Sequence, residues 1–263
     1  MRIICIGAHP DDCEIGFGGC AAMLTEAGHA VKFLSVTNGD AGHHVLDREA
    51  LAGIRSAEAQ EAARRLAIAE SEILGNHDGE LLHTLELRQE IIRQIRAWGA
   101  DVVLTPRPWD YHPDHRYTAQ LVQDAAYLAI VPHICAGTPA LARNPVFLYL
   151  EDSFQMPVPF APDIAVDIED AWDRKLDALE AHRSQFYEWL PWVEGSLEQV
   201  PEEGPRRRDW LGERIARELS PCTRAALARR YGRTRQVKHA ESFQVCEYGR
   251  RPASGELDEI FPR

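Results

Sequence analysis

Two short segments hold the residues best suited to metal or acid–base chemistry. GAHPDD, residues 7–12, directly follows the apolar run MRIICI and sets His9, Asp11 and Asp12 at its end. YHPDH, residues 111–115, adds His112, Asp114 and His115. Ionisable side chains at the end of a buried strand are costly unless they are solvated, paired or bound to something. His9 and Asp12 can turn inward together at a strand-to-helix corner, and His115 can complete a His–Asp–His set. Two imidazoles and one carboxylate, with a position left for water, describe a catalytic Zn2+ site, and Fe2+ or Co2+ could take the same ligands. A water activated there must lose a proton, and Asp11, beside a ligand without being one, is suited to accept it. His112 is placed to face a developing oxyanion, with Asp114 as the carboxylate that holds it protonated. Capping is the competing reading for Asp11 and Asp12, because a helix begins there.

These residues need a frame that brings distant segments together, and the hydrophobic pattern supplies one. Residues 2–8 form a near-continuous apolar run, the mark of a strand covered on both faces. A helix is expected over 12–29, a strand over 30–38, a helix over 46–68, a strand over 71–76 and a helix over 82–99. A strand over 100–107, a helix over 116–130 and a strand over 145–151 complete the alternation. Strands alternating with helices imply an α/β fold, Rossmann-like, with a mostly parallel sheet flanked by helices. Ligands of such sheets bind beyond the carboxyl ends of the strands, so GAHPDD and YHPDH belong to one rim. Farther on, 163–168 reads as one more strand and 171–190 as a helix ending before Pro191. Residues 201–209 read as a charged turn, 208–230 as helical, and 239–249 as the tail. No linker or repeat interrupts the chain, so residues 1–263 read as a single domain with a C-terminal helical extension folded onto the sheet.

Composition narrows the function. The 263 residues carry a formal net charge of -12. An acidic balance disfavours sequence-independent nucleic-acid binding, which relies on Lys and Arg neutralising phosphates. No apolar run reaches the roughly 18 residues of a membrane span, and the opening segment lacks a signal peptide's cleavage site. The six cysteines form no C-x-x-C pair and read as reduced thiols of a cytoplasmic protein. GFGG at 16–19 has neither the spacing nor the position of a dinucleotide loop.

AHPDD and HPDH together resemble the paired motifs of the PIG-L/LmbE-like family of zinc-dependent N-acetylglucosamine deacetylases. TNGDAG (37–42), IRSAEAQEAARRL (54–66), the Asp78–Gly79 pair, AHRSQF (181–186) and HAESF (239–243) are similar to further family segments, so the resemblance touches most of the chain. It implies His9, Asp12 and His115 as metal ligands, Asp11 as general base, and His112 with Asp114 on the oxyanion or general-acid side. It also implies that Arg55 and Asp78 hydrogen-bond sugar hydroxyls. Bland readings compete for both: Arg55 could pair with Glu58 or Glu61, and Asp–Gly is a common turn. One departure matters. Some members carry a Tyr where this chain has Asp110, and here a tyrosine, Tyr111, adjoins His112 instead.

The expected function is removal of the N-acetyl group from an N-acetylglucosamine-type conjugate, a small-molecule substrate. Two alternatives use the same site: a non-haem Fe(II) oxygenase, and a protein that binds a sugar conjugate through a metal without turnover. His182 and His239 lie in segments that could fold over the site. Trp189, Trp192 and Trp210 fit a core, a homo-oligomer interface or an aromatic wall for substrate.

Overall fold

A computed structural model of the protein describes residues 1–233 and 236–261. Its first strands are β1 (Arg2–Gly7), β2 (Ala30–Thr37), β3 (Glu70–Asn76), β4 (Val102–Thr105) and β5 (Val146–Leu150). They alternate with α1 (Asp12–Glu26), α2 (Arg48–Arg65), α3 (Leu85–Trp98) and α4 (Pro113–Leu128). These five strands are parallel and ordered β3-β2-β1-β4-β5. β1 is buried on both faces, as its apolar run requires. Ile3 and Cys5 enter the core beneath α1, while Ile4 and Ile6 enter the core beneath α3 and α4. β1 therefore has its sequence neighbour β2 on one side and β4 on the other. The chain order reverses there, which opens a crevice beyond the ends of β1 and β4.

The second half departs from a purely helical extension. β6 (Ile164–Asp167) is the edge strand, and β7 (Ala240–Val245) inserts between β5 and β6, antiparallel to both. The insertion is held by Glu241, 4% exposed. Its carboxylate accepts the Gly19 and Cys20 amides at 2.9 and 2.8 Å and the Lys175 ammonium at 2.6 Å. The helix expected over 171–190 is broken into α5 (Trp172–Leu179), a π-helical turn (Ser184–Trp189) and α6 (Leu190–Val193). Glu58 takes both the amide and the hydroxyl of Ser184, at 2.8 and 2.6 Å, and so competes with the helical ladder there. The pattern over 208–230 is two helices, α7 (Pro205–Ile215) and α8 (Pro221–Tyr231). Pro221 is the first residue of α8, where no amide is needed, and Ser220 caps that helix by accepting the Thr223 amide. α7 thus starts inside the segment expected to be a turn. A last helix, α9 (Glu256–Ile260), packs at the end. The GFGG glycines serve packing: a Cβ on Gly19 would lie 2.7 Å from Ile168.

Candidate metal centre

The end of β1 turns sharply into α1. Gly7 permits the turn, since a Cβ there would sit 2.6 Å from the Cβ of Asp12. Asp12 folds back beneath the strand end, where its Oδ2 accepts the amides of Ala8 and His9 at 2.8 and 2.9 Å. Neither aspartate caps α1 in the ordinary way. Asp11 occupies the cap position without a side-chain bond to the helix, at a φ of 148° that is strained for a residue with a Cβ. Strain of this kind, costing about 1–3 kcal/mol, persists only where neighbours over-determine it. Here the neighbour is Arg55. It donates to the Pro10 carbonyl at 2.8 Å and reaches Asp11 Oδ2 at 3.2 Å.

At the end of β4 the chain runs into α4, which starts earlier than expected. His112 is its cap and Pro113 its first residue, so HPDH forms the first turn. This places His115 against the end of β1. His9 Nδ1 lies 3.2 Å from His115 Nε2, and Asp12 Oδ1 lies 3.4 Å from the same nitrogen. Ligand atoms around a tetrahedral zinc ion, at bond lengths of about 2.0–2.1 Å, sit about 3.3 Å apart. The outer nitrogens are also braced. His9 Nε2 meets Asp78 Oδ1 at 3.0 Å, and His115 Nδ1 meets Asp110 Oδ2 at 3.1 Å. Two carboxylate–imidazole pairs with their inner nitrogens converging on one point are the arrangement that orients histidine ligands. The donor set fits a divalent metal.

The electrostatics agree. Burial alone would lower the His9 pKa, but Asp114, Asp78 and Asp12 outweigh it and raise it to about 9. His115 is raised to about 11 against its burial, chiefly by Asp12 and Asp110. Burial favours the protonated form of Asp12, but His115 and His9 hold its carboxyl far below the usual range. Without a metal, the carboxylates therefore demand positive charge, and protonated imidazoles supply it. Asp11 is different: burial raises it to about 6 although Arg55 pulls it down.

One expected pairing needs correction. The Asp114 carboxylate does not bond His112. It accepts the Gly79 and Leu81 amides at 2.7 and 3.3 Å and approaches His9 Nε2 at 3.4 Å, tying the loop after β3 to α4. Only the Asp114 backbone amide meets His112, donating to Nδ1 at 3.2 Å, which leaves the proton of a neutral ring on Nε2. Burial and the charges of His9 and His115 lower the His112 pKa. Arg55 and Asp78, expected at sugar hydroxyls, are 3% and 6% exposed, close to the 8% of His9 and of Asp11. Arg55 lies under Asp11 and also donates to the Gly39 carbonyl, while Asp78 braces His9. Glu58 and Glu61 are engaged elsewhere, with Ser184 and with Arg64 and Arg65. His182 is fully buried 3.2 Å from Glu14, and His239 stacks on Trp172 and bonds Glu169.

Two residues escaped the sequence reading. Asp110 braces His115 and accepts the His112 amide at 2.8 Å. Its signal was a carboxylate two positions ahead of HPDH. Asp40, 3% exposed in the loop after β2, accepts the Asp78 amide at 3.0 Å and bonds His77 at 2.5 Å. Its signal was its place in TNGDAG (37–42), a segment similar to the family's.

Residues 4–126 match the protein-family model described as PIG-L: GlcNAc-PI de-N-acetylase. The diacetylchitobiose deacetylase of Thermococcus kodakarensis is 36% identical over 204 residues, covering 73% of each chain. The chain belongs to the PIG-L/LmbE-like family. A second relative, a probable N-acetyl-alpha-D-glucosaminyl L-malate deacetylase 2 of Bacillus cereus, is 27% identical over 196 residues, 70% of this chain and 83% of its own. Among solved structures, the N,N'-diacetylchitobiose deacetylase of Pyrococcus horikoshii superposes with a TM-score of 0.72 at 26% identity, covering 94% of this PIG-L/LmbE-like chain and 84% of that one. No helix among the described residues is long and apolar enough to cross a membrane.

Proposed function

We propose that this protein is a zinc-dependent N-deacetylase that hydrolyses the acetamide of an N-acetylglucosamine conjugate, releasing acetate and a free amine. The observation that carries the reading is the convergence of His9 Nδ1, Asp12 Oδ1 and His115 Nε2, with Asp11 paired to Arg55 one residue away from Asp12. His9, Asp12 and His115 would hold the ion. Bound there, zinc supplies Lewis acidity, polarising the acetamide carbonyl and acidifying a water. Asp11 accepts the proton as the water oxygen attacks the carbonyl carbon, and Arg55 fixes its carboxylate. His112 Nε2–H donates to the developing oxyanion, which is the use its neutral tautomer allows. The C–N bond then breaks, and the proton held by Asp11 passes to the leaving amine.

The α/β frame and the family relationship both favour hydrolysis over the Fe(II) oxygenase. Asp11, held by Arg55 next to the ligand Asp12 in sequence, favours catalysis over mere binding. We read residues 1–263 as one domain, supported by a sheet that takes strands from both halves. The test is acetate release from N-acetylglucosamine conjugates by zinc-loaded and chelated protein. Metal-dependent release is expected, and release that survives complete chelation would overturn the reading.

A further inference from the structure

The wall beside HPDH has no part in the chemistry above. Tyr111 is 77% exposed, yet its ring stands edge-on to His112 at 5.9 Å and to His115 at 6.4 Å. Phe154 lies 6.3 Å from it, and Trp109, Met156 and Val158 are 38%, 81% and 52% exposed nearby in sequence. Single exposed apolar residues are ordinary. The backbone that carries Tyr111, Phe154 and Val158 is tied down by buried or partly buried arginines. Arg116 donates to the Asp110 and Tyr111 carbonyls at 2.6 and 2.9 Å. Arg107, 2% exposed, pairs with Asp152 through two 2.6 Å bonds and donates to the Phe154 and Val158 carbonyls. A buried ion pair carries a desolvation cost, and this one fastens the loop that carries Phe154 and Val158 to the end of β4. An aromatic ring on an ordered backbone loses little freedom when a ligand lands on it.

We propose that Tyr111 is the platform of a second subsite, which takes a neutral pyranose ring attached to the N-acetylglucosamine unit. The inference rests on the deacetylase reading and names the substrate class within it. One face of a pyranose presents C–H groups, which suit the electron-rich face of an aromatic ring. A carboxylate-bearing substituent suits the rim poorly. Asp11, Asp40, Asp78, Asp110 and Asp114 already crowd it, and its guanidinium groups are engaged. Arg55 faces Asp11, Arg107 faces Asp152, and Arg48 faces Glu80. Like charges brought together at an interface disfavour the wrong partner.

The experiment is calorimetric binding of N-acetylglucosamine, diacetylchitobiose and N-acetylglucosaminyl malate to the full chain, followed by acetate release after zinc loading. Wild type, Tyr111→Ala, Tyr111→Phe and the remote control Tyr248→Ala are compared. The disaccharide is expected to bind about three- to tenfold more tightly than the monosaccharide, the range of one aromatic stacking contact. Tyr111→Ala removes that margin and raises KM for the disaccharide more than it lowers kcat. Tyr111→Phe and Tyr248→Ala keep the margin. A margin unchanged in Tyr111→Ala overturns the proposal, as does tighter binding of the malate conjugate. Loss in Tyr111→Phe equal to that in Tyr111→Ala assigns the effect to the hydroxyl and also overturns it. A Tyr111-dependent margin without acetate release from any substrate would sink the deacetylase reading and leave the subsite standing.

Discussion

Two buried charge networks in this protein are built from similar residues and behave differently. Around Glu241 the charges balance. One carboxylate meets one ammonium, and Lys175 adds a bond to the Ile15 carbonyl at 2.7 Å while Glu241 takes two amides. Around His9 they do not. Asp12, Asp78, Asp110 and Asp114 surround two imidazoles whose inner nitrogens face each other across 3.2 Å. The first network is complete and closes the sheet. The second has more carboxylates than imidazoles, and two inner nitrogens and Asp12 Oδ1 converge on one point, which a divalent cation would satisfy. A surplus of buried like charge marks a site, whereas a satisfied pair marks architecture.

This contrast can be broken by substitutions that separate fold from chemistry. Asp11→Asn is expected to lower deacetylation by roughly a hundred- to ten-thousand-fold, the range for losing a general base. Its unfolding midpoint should stay close to wild type, because burial already disfavours the Asp11 charge, and Arg55 keeps the Gly39 and Pro10 carbonyls and Asp78 at 3.9 Å. Activity retained in that variant would remove Asp11 from the mechanism. Glu241→Gln should do the opposite. It leaves the Lys175 ammonium buried without its partner, for a loss of about 3–5 kcal/mol in denaturant unfolding. The fraction that remains folded should bind metal as wild type does. Weakened metal binding by folded Glu241→Gln would show that the two networks are coupled.

Smaller effects sharpen the comparison. Asp110→Asn keeps a hydrogen-bonding group beside His115 but removes its charge. Metal affinity, measured by competition with a chromophoric chelator, is expected to fall about 10–100-fold. An unchanged affinity would reduce Asp110 to a loop residue. The smallest effect belongs to a pair at the surface. Arg250 and the Ala253 amide hold Glu256 at about 2 in the folded chain, against an ordinary 4.5. Because the folded value is the lower one, the pair stabilises above pH 4.5, and that contribution is lost as pH falls toward 2. Solvent screening limits it to below about 1 kcal/mol. Urea unfolding of wild type and Glu256→Gln should therefore differ at pH 6 and converge near pH 2. A difference that persists at pH 2 would show that the effect is not electrostatic.

The sequence by itself determined the frame and the ligand types. Apolar runs alternating with helical segments require a parallel sheet, and a parallel sheet sends the ends of β1 and β4 to the same rim. His9, Asp12 and His115 could therefore be brought together on paper, because each lies in the segment that leads from its strand into the next helix. Tertiary structure alone decided which carboxylate serves which group. Asp114 was read as the partner of its neighbour His112 and instead joins the Gly79 and Leu81 amides from the loop after β3. Arg55 and Asp78 are expected at a sugar, and the tertiary structure adds that Arg55 pairs with Asp11 and Asp78 with His9. The insertion of β7 between β5 and β6 was equally invisible, since AESFQV fits an edge or an interior position alike. The reason is physical. Strand and helix preferences act over a few residues, whereas a hydrogen bond between a carboxylate and an imidazole depends on a few tenths of an ångström between loops far apart in the chain.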